Sequence, residues 1–401
     1  MSQSSSRSTE SVFGALVAIS LSHFAVDFYM AFIYPILPQL SLELKISLTA
    51  SGFLMTSLAV TECATQPLFG QLGDRLGRPW MLPAAIMWTA LAMSSIAYAR
   101  SYGTLLLLTV LSALGAAFVH PYGATLVHRM AMNTKGTAMS WYSAFGTAGY
   151  ALGPLLVMPA VVRHGVSGLR FLLWPALLVV LMQVGLGVHK WDGARAAPVA
   201  ERSAWGGSKK GAALVVLGTV AFLRAWAASA ILGYAAFYFY ALEYSETAVS
   251  WLLFGYLFAG ALGGILAGAA SDRIGRRMVL VGSGLLSTVA TALFLLTRGV
   301  ASWWWWLIAG AFTHAAFPVA TVLAQELYPE RSGMASGIIQ GTAWGLGGLG
   351  VTLTGYIGDL YGMTTLLWSC VFLLAVSTLG CIAVSASTRP GKLKHATREA
   401  D

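Results

Sequence analysis

Long apolar stretches alternate with short polar joints along the whole chain. A helix crossing the roughly 30 Å hydrocarbon layer needs about 20 residues, each rising about 1.5 Å. Twelve stretches reach that length: 11–38, 49–72, 80–99, 103–130, 137–162 and 167–189 come first. The others are 212–241, 247–270, 278–297, 302–328, 334–357 and 362–387. The pattern predicts an all-α membrane protein of twelve transmembrane helices. The long polar interruption, 190–211, reads KWDGARAAPVAERSAWGGSKKG and has the Gly, Ala, Pro and charge content of a cytoplasmic linker. It separates an amino-terminal six-helix bundle, 1–189, from a carboxy-terminal one, 212–387, and leaves 388–401 as a cytoplasmic tail. The apolar stretch after the opening MSQSSSRSTE is too long for a signal-peptide core and reads as the first span.

Composition agrees with a bilayer environment. Of 401 residues, 57% are hydrophobic and 10% charged, whereas soluble domains carry about a quarter charged residues. Disorder is excluded by the apolar content. A disulfide scaffold is excluded by having only Cys63, Cys370 and Cys381, which read as buried packing residues. The net charge of +9 raises the question of nucleic acid, and the placement of the charges answers it. Eighteen of the 24 lysines and arginines fall on the side that holds both termini; Lys45, Arg100, Arg163, Arg170 and Arg298 fall on the other. That bias places both ends in the cytoplasm of a multi-pass protein of the cell inner (plasma) membrane. Juxtamembrane cations need no nucleic-acid partner. The tract from Trp303 to Trp306 is expected to anchor the tenth span at the interface.

The halves repeat each other. GQLGDRLGRP, from Gly70, parallels GAASDRIGRR, from Gly268, with Asp74 and Asp272 at an offset of 198. HPYGATLVHRMAMNTKGTAMS, from His120, parallels FPVATVLAQELYPERSGMASG, from Phe317, and pairs Pro121 with Pro318 at 197. The chain is therefore a duplicated six-helix unit, a plan that puts a substrate path between the halves near the midplane.

The GxxxDRxGR[KR] loop resembles the signature of the major facilitator superfamily, and the resemblance covers all twelve spans. Gly70, Asp74, Arg75, Gly77 and Arg78 fit it, with Pro79 at a commonly basic place, and Asp272, Arg273, Gly275, Arg276 and Arg277 repeat it. The resemblance implies two pseudo-symmetric six-helix bundles and a conformational latch, in which Asp74 helps to hold the outward-open state. Arg129 is expected to pair with Asp74, and Glu326 with the Arg273/Arg276 loop, as braces of that latch. A narrower resemblance, to the fosmidomycin-resistance branch of drug exporters, rests on His23, Asp27, Tyr34-Pro35, His120-Pro121 and Arg129-Met130-Ala131. Gly149, Gly153 and Pro154 match the GxxxGP end of a drug/proton antiporter signature, but Leu155, Leu156 and Val157 replace its trailing glycines. The fourth-span arginine often used for proton coupling in such antiporters would fall near Leu111 and is absent.

An ionisable side chain inside a span costs several kcal/mol and signals function by default. His23 and Asp27 are four apart on one helix face, with Tyr34 further along it. Glu62 lies mid-way along the second span, four before Gln66; His120 precedes a helix-bending proline; Arg224 and His314 lie in spans 7 and 10. Adding 197 to Asp27 reaches Arg224, which predicts that the two face each other across a central cavity as a proton-coupling or substrate-binding pair. Tyr234 and Tyr238, four apart, are candidates for stacking a planar or cationic substrate. The span 11 glycines, Gly341 to Gly350, read as a tight helix interface.

No GxxxxGK[ST], HExxH, paired CxxC, EF-hand or GxSxG pattern occurs, so neither ATP, a metal nor a cofactor is expected, and no catalytic residue. The expectation is a monomeric secondary transporter in lipid, exchanging protons for small drug-like or metabolite molecules. Two alternatives stay open: a proton symporter importing an organic anion on Arg224, and a non-transporting membrane sensor or assembly factor.

Overall fold

The computed structural model describes residues 9–76, 78, 80–130, 135–188, 208–328 and 331–387. Among these the regular elements are all helical. α1 (Thr9–Met30) and α2 (Ile33–Leu44) share the first span, followed by α3 (Leu48–Leu76), α4 (Met81–Ser94), α5 (Tyr102–Met130), α6 (Lys135–His164) and α7 (Trp174–Gly185). The second half opens with α8 (Ser208–Ala241), α9 (Glu246–Ile274) and α10 (Arg276–Leu296). α11 (Val300–His314) and α12 (Ala316–Leu327) share the tenth span. α13 (Ser332–Gln340) and α14 (Gly347–Tyr361) share the eleventh, and α15 (Met363–Ser387) is the twelfth. Helices cover all twelve stretches of the polarity pattern, and among the described residues ten are long and apolar enough to cross a membrane, α3 and the interrupted eleventh stretch being the exceptions. α8 starts at Ser208, inside the expected linker; 189–207 and the tail 388–401 lie outside the described residues.

The interruptions have local causes. The first span breaks at Ala31 and Phe32 because Pro35 has no N–H for the carbonyl four residues back, and the Phe32 amide turns to Tyr29 O at 3.1 Å. Span 11 carries a π-helical stretch, Gly341–Leu346, between its two α-helical parts. α9 starts on Ser245, whose hydroxyl accepts from the Ala248 amide, with Glu246 favourable in the first turn. The glycine of the second signature loop, Gly275, joins α9 to α10 at φ +93°, a conformation that a side chain would strain.

Among the described residues the halves share a continuous apolar core toward one end of the molecule. That core joins Phe28, Leu54, Tyr234, Val351 and Leu366, while toward the signature loops the second half has its own core around Leu217, Val319 and Ile339. The shared end is built on α3 against α14. Gly345, Gly348, Thr352, Gly355 and Asp359 recur at alternating three- and four-residue steps, which aligns them along one face. Opposite them stand Cys63, Ala59, Thr56, Gly52 and Leu48. The backbones come so close that a Cβ on Gly348 would lie 2.7 Å from that of Ala59, and one on Gly52 would lie 2.7 Å from Val351 O. Thr56 Oγ1 donates to Gly348 O at 2.6 Å, tying the two helices through a bond that needs no water. Gly345 and Gly348 of the expected glycine interface form this seam, Gly347 and Gly350 pack on Trp226 at its flank, and Gly341 has no close neighbour among the described residues.

Candidate functional site

Four ionisable side chains from three spans converge inside the first half. His23 and Asp27 project from one face of α1, Glu62 from the middle of α3 and His120 from α5. His120 Nε2 lies 3.0 Å from Asp27 Oδ1, and its Nδ1 lies 3.2 Å from Glu62 Oε1. One imidazole thus stands between two carboxylates, and only the doubly protonated ring can donate to both. His23 Nε2 approaches the other oxygen of Asp27 at 3.3 Å. Gln66, four residues from Glu62, closes the row with an amide 3.5 Å from the same carboxylate. Exposures of 15% for His23 and Asp27, 18% for Glu62 and 22% for His120 leave the cluster mostly buried but with accessible surface on each side chain.

α6 supplies the support. Its Tyr142 carbonyl accepts from His23 Nδ1 at 2.9 Å, and its ring stacks on His23 with centroids 4.3 Å apart. The Tyr142 hydroxyl donates to Val119 O and His120 O, the stretch of α5 that Pro121 disturbs. Gly146, one turn on, leaves room for the His23 ring, which a Cβ there would overlap. Sequence reasoning missed Tyr142, because what it contributes is a carbonyl and a ring face. Its aromatic type, three residues from Phe145, carried no other signal.

Of the other expected site residues, Tyr34 lies within electrostatic reach of Glu62 and the rest lie elsewhere. Tyr34 is buried and accepts from Tyr150 on α6 at 2.6 Å. Arg224 is fully buried and donates to Ser283 of α10 at 3.0 Å, against Gly284 of α10 and near Thr378 of α15, while its Nε and Nη2 find no hydrogen-bond partner among the described residues. The expected pairing of Asp27 with Arg224 across one cavity does not form: Asp27 is paired within the first half and Arg224 turns into the interior of the second. A repeat equates backbone positions, not the direction of a long side chain, and the small residues of α10 give this one a place inside its own bundle. Tyr234 is not free to stack a ligand, since its buried hydroxyl donates to both Leu48 O (2.9 Å) and Val351 O (3.1 Å) at the shared core. Tyr238 accepts from Arg298 at 3.2 Å beside a cavity of about 140 Å³ at the far end of α8. His314 meets Gly310 O at 3.1 Å and the Tyr256 ring, apart from the Asp27 cluster. Of the Trp303–Trp306 tract, Trp304 is exposed but Trp306 is core, donating to Leu252 O.

At the signature-loop end, Arg276 binds Asp272 and Ser271 and reaches Glu326 of α12 at 3.1 Å through Nε. Arg273, Arg75 and Arg78 are exposed, Gly70 packs on Pro121, and Arg129 is half-buried near the end of α5. Gly77 and the Asp74 side chain lie outside the described residues, so the Asp74–Arg129 brace does too.

A duplicated six-helix plan, paired signature loops and a polar cluster inside a helical bundle describe a transporter architecture, and comparison with known proteins decides the family. The model of the Major Facilitator Superfamily matches residues 19–240 and 214–401. The chain belongs to the major facilitator superfamily. As a member it is a multi-pass membrane protein of a transporter family that acts on small molecules across a lipid bilayer. It is 31% identical over 374 residues to the fosmidomycin resistance protein of Escherichia coli (strain K12), covering 90% of each chain. It is 29% identical over 389 residues to the MFS-type transporter YfnC of Bacillus subtilis (strain 168), covering 93% of each. A solved bacterial homolog of the human lysosomal transporter Spinster superposes with a TM-score of 0.82 at 15% identity, covering 95% of this chain and 98% of that one. The superfamily member thus resembles the fosmidomycin-resistance branch among transporters named for drug resistance.

Proposed function

We propose that this superfamily member is a proton-coupled exporter of small drug-like or metabolite molecules, working by alternating access as a monomer in the plasma membrane. The observation that carries the reading is His120, held mid-span between Asp27 and Glu62, 3.0 and 3.2 Å away. A carboxylate–imidazole–carboxylate row can take a proton at one end and release one at the other while its net charge changes by a single unit. That suits a group that must be loaded from one side of a bilayer and unloaded to the other, because an isolated charge there costs several kcal/mol. Exchange requires that substrate and proton compete for the same state of the row. A cationic or hydrogen-bonding substrate beside Asp27 competes in this way.

The lysine and arginine bias orients the signature loops toward the cytoplasm, with both termini on that side. In that orientation the shared core closes the outer side, and the separate cores leave the cytoplasmic side apart. By resemblance the two signature loops then act as the latch of the opposite, outward-open state, and the Arg276–Asp272–Glu326 contacts, all within the second half, hold one of those loops in place for it. Replacing Asp27 with Asn keeps size and hydrogen bonding but removes the titratable oxygen. In proteoliposomes the exporter reading expects substrate-induced proton flux to disappear in that variant while expression and folding persist. Flux equal to that of the native chain would refute it.

A further inference from the structure

We infer that His23, Asp27 and His120 form a binding site for a divalent transition-metal ion of the zinc or cobalt kind. The donor atoms of the three residues lie within 4.8 Å of one another. His120 Nε2 and His23 Nε2 converge on the two oxygens of the same carboxylate, at 3.0 and 3.3 Å. Two donors each about 2.1 Å from one metal are about 3.0 Å apart in octahedral and 3.4 Å apart in tetrahedral geometry, so each nitrogen–oxygen spacing falls in that range, and the set as a whole, spread over up to 4.8 Å, contracts around a bound ion.

The outer partners are those of a metal site as well. Ligating histidines donate the second ring N–H to a carbonyl or carboxylate, which fixes the tautomer and aims the other nitrogen. Both histidines here do so: His23 Nδ1 donates to Tyr142 O at 2.9 Å, and His120 Nδ1 faces Glu62 Oε1 at 3.2 Å. In the neutral ring with Nδ1–H the Nε2 lone pair of His23 faces Asp27 Oδ2, an arrangement that either a proton on Nε2 or a metal ion between the two relieves. A proton can bridge one such pair, whereas a single metal ion engages both imidazoles and the carboxylate together.

Two imidazoles and a carboxylate favour zinc, cobalt or nickel over magnesium and calcium, which take all-oxygen shells. Three protein ligands leave a coordination position for water or a substrate atom. The exposure of the cluster, 15–22%, supplies access. The sequence contains no metal-ligand spacing because the ligands come from two spans, 97 residues apart at their widest. This inference goes beyond the exporter reading. It shares Asp27 and His120 with that reading but is tested at equilibrium, with neither gradient nor substrate.

The test uses the full chain, purified without a histidine tag in detergent and titrated with zinc chloride and with cobalt chloride by calorimetry. One ion per chain is expected, with the site lost in His23→Ala and in His120→Ala and weakened about 10–100-fold in Glu62→Gln, which removes an outer partner. X-ray absorption at the zinc edge of the native protein keeps the test independent of how the variants fold. It should show imidazole nitrogen and carboxylate oxygen at about 2.0–2.2 Å. Uptake equal in native and histidine-variant chains, or a zinc shell without imidazole, overturns the site. Neither result bears on proton flux, and loss of flux in Asp27→Asn would not rescue the metal site.

Discussion

Asp359, at the end of α14, caps the helix that Leu48 begins in the other half of the molecule. Its two oxygens accept from the Leu48 and Thr49 amides, each at 2.9 Å, and from the Thr49 hydroxyl. The next two amides of α3 are satisfied locally, Ala50 by the Ser47 hydroxyl and Ser51 by the Ser47 carbonyl. The first turn of α3 therefore takes its capping carboxylate from a residue 310 positions away. Separating the halves at this end strands those amides, which makes the cap a catch on the closed state.

Removing the catch should favour opening at this end. A capping carboxylate contributes about 1 kcal/mol, and an exposed one such as Asp359 sits toward the lower part of the range. Asp359→Ala is expected to shift the population toward the open form by a few-fold while leaving the fold intact. Distances between spin labels placed across this end read the shift directly. An unchanged distribution would show that the apolar seam alone holds the halves together.

The catch also has a pH window. Partial burial works against the charge on Asp359, but donation from the Thr49 hydroxyl and amide and from the Leu48 amide outweighs it and holds the carboxyl below its ordinary value. A lowered value means that the stabilisation is complete above the free-carboxylate pKa, about 3.9, and is lost as pH falls through the lower value of the closed form. Closure is therefore expected to be flat from neutrality to about pH 5 and to weaken below about pH 4. In Asp359→Asn this acid-dependent part should vanish, as followed by the same label distances.

At Gly348 the seam between α3 and α14 leaves room only for a small residue. Gly348→Leu forces a side chain into the space beside the Ala59 Cβ, and overpacking of this kind costs about 1–3 kcal/mol. Lower thermal stability and greater cysteine reactivity at Cys63, which lies beside Gly345 further along the seam, are expected together. Adding Ala59→Gly should recover part of both.

Arg224 invites the reverse experiment. A buried guanidinium with one hydroxyl partner and two unpaired nitrogens is costly, and replacing such a charge with an apolar side chain of similar volume is neutral or stabilising by about 1–4 kcal/mol. Arg224→Met is expected to hold or raise the melting temperature, whereas Arg224→Ala lowers it by opening a cavity beside Gly284. A marked loss of stability in Arg224→Met would mean that the guanidinium has a partner in another state, the role that an imported organic anion would need.

Much of the molecule is legible in its sequence. Span length and charge bias depend on the bilayer, which acts on each helix separately, so twelve helices and the duplication could be read from local pattern alone. The same logic singled out His23, Asp27, Glu62 and His120, because an ionisable group inside an apolar run is conspicuous wherever it packs. Asp359 and Tyr142 escaped because neither is unusual in its own helix. The one works by capping a distant amino terminus and the other by offering a carbonyl and a ring face.

Pattern along the chain thus established the helices, the repeat and the intramembrane polar groups, since each is a property of one segment against lipid. Which of those groups meet was decided by packing. Small residues on α6 and α10 set where the His23 ring and the Arg224 side chain could go, and so joined Asp27 to His120 instead of to the arginine that the repeat places opposite it. Side-chain direction depends on the volume that neighbouring helices leave open, and that volume exists only once the helices are assembled.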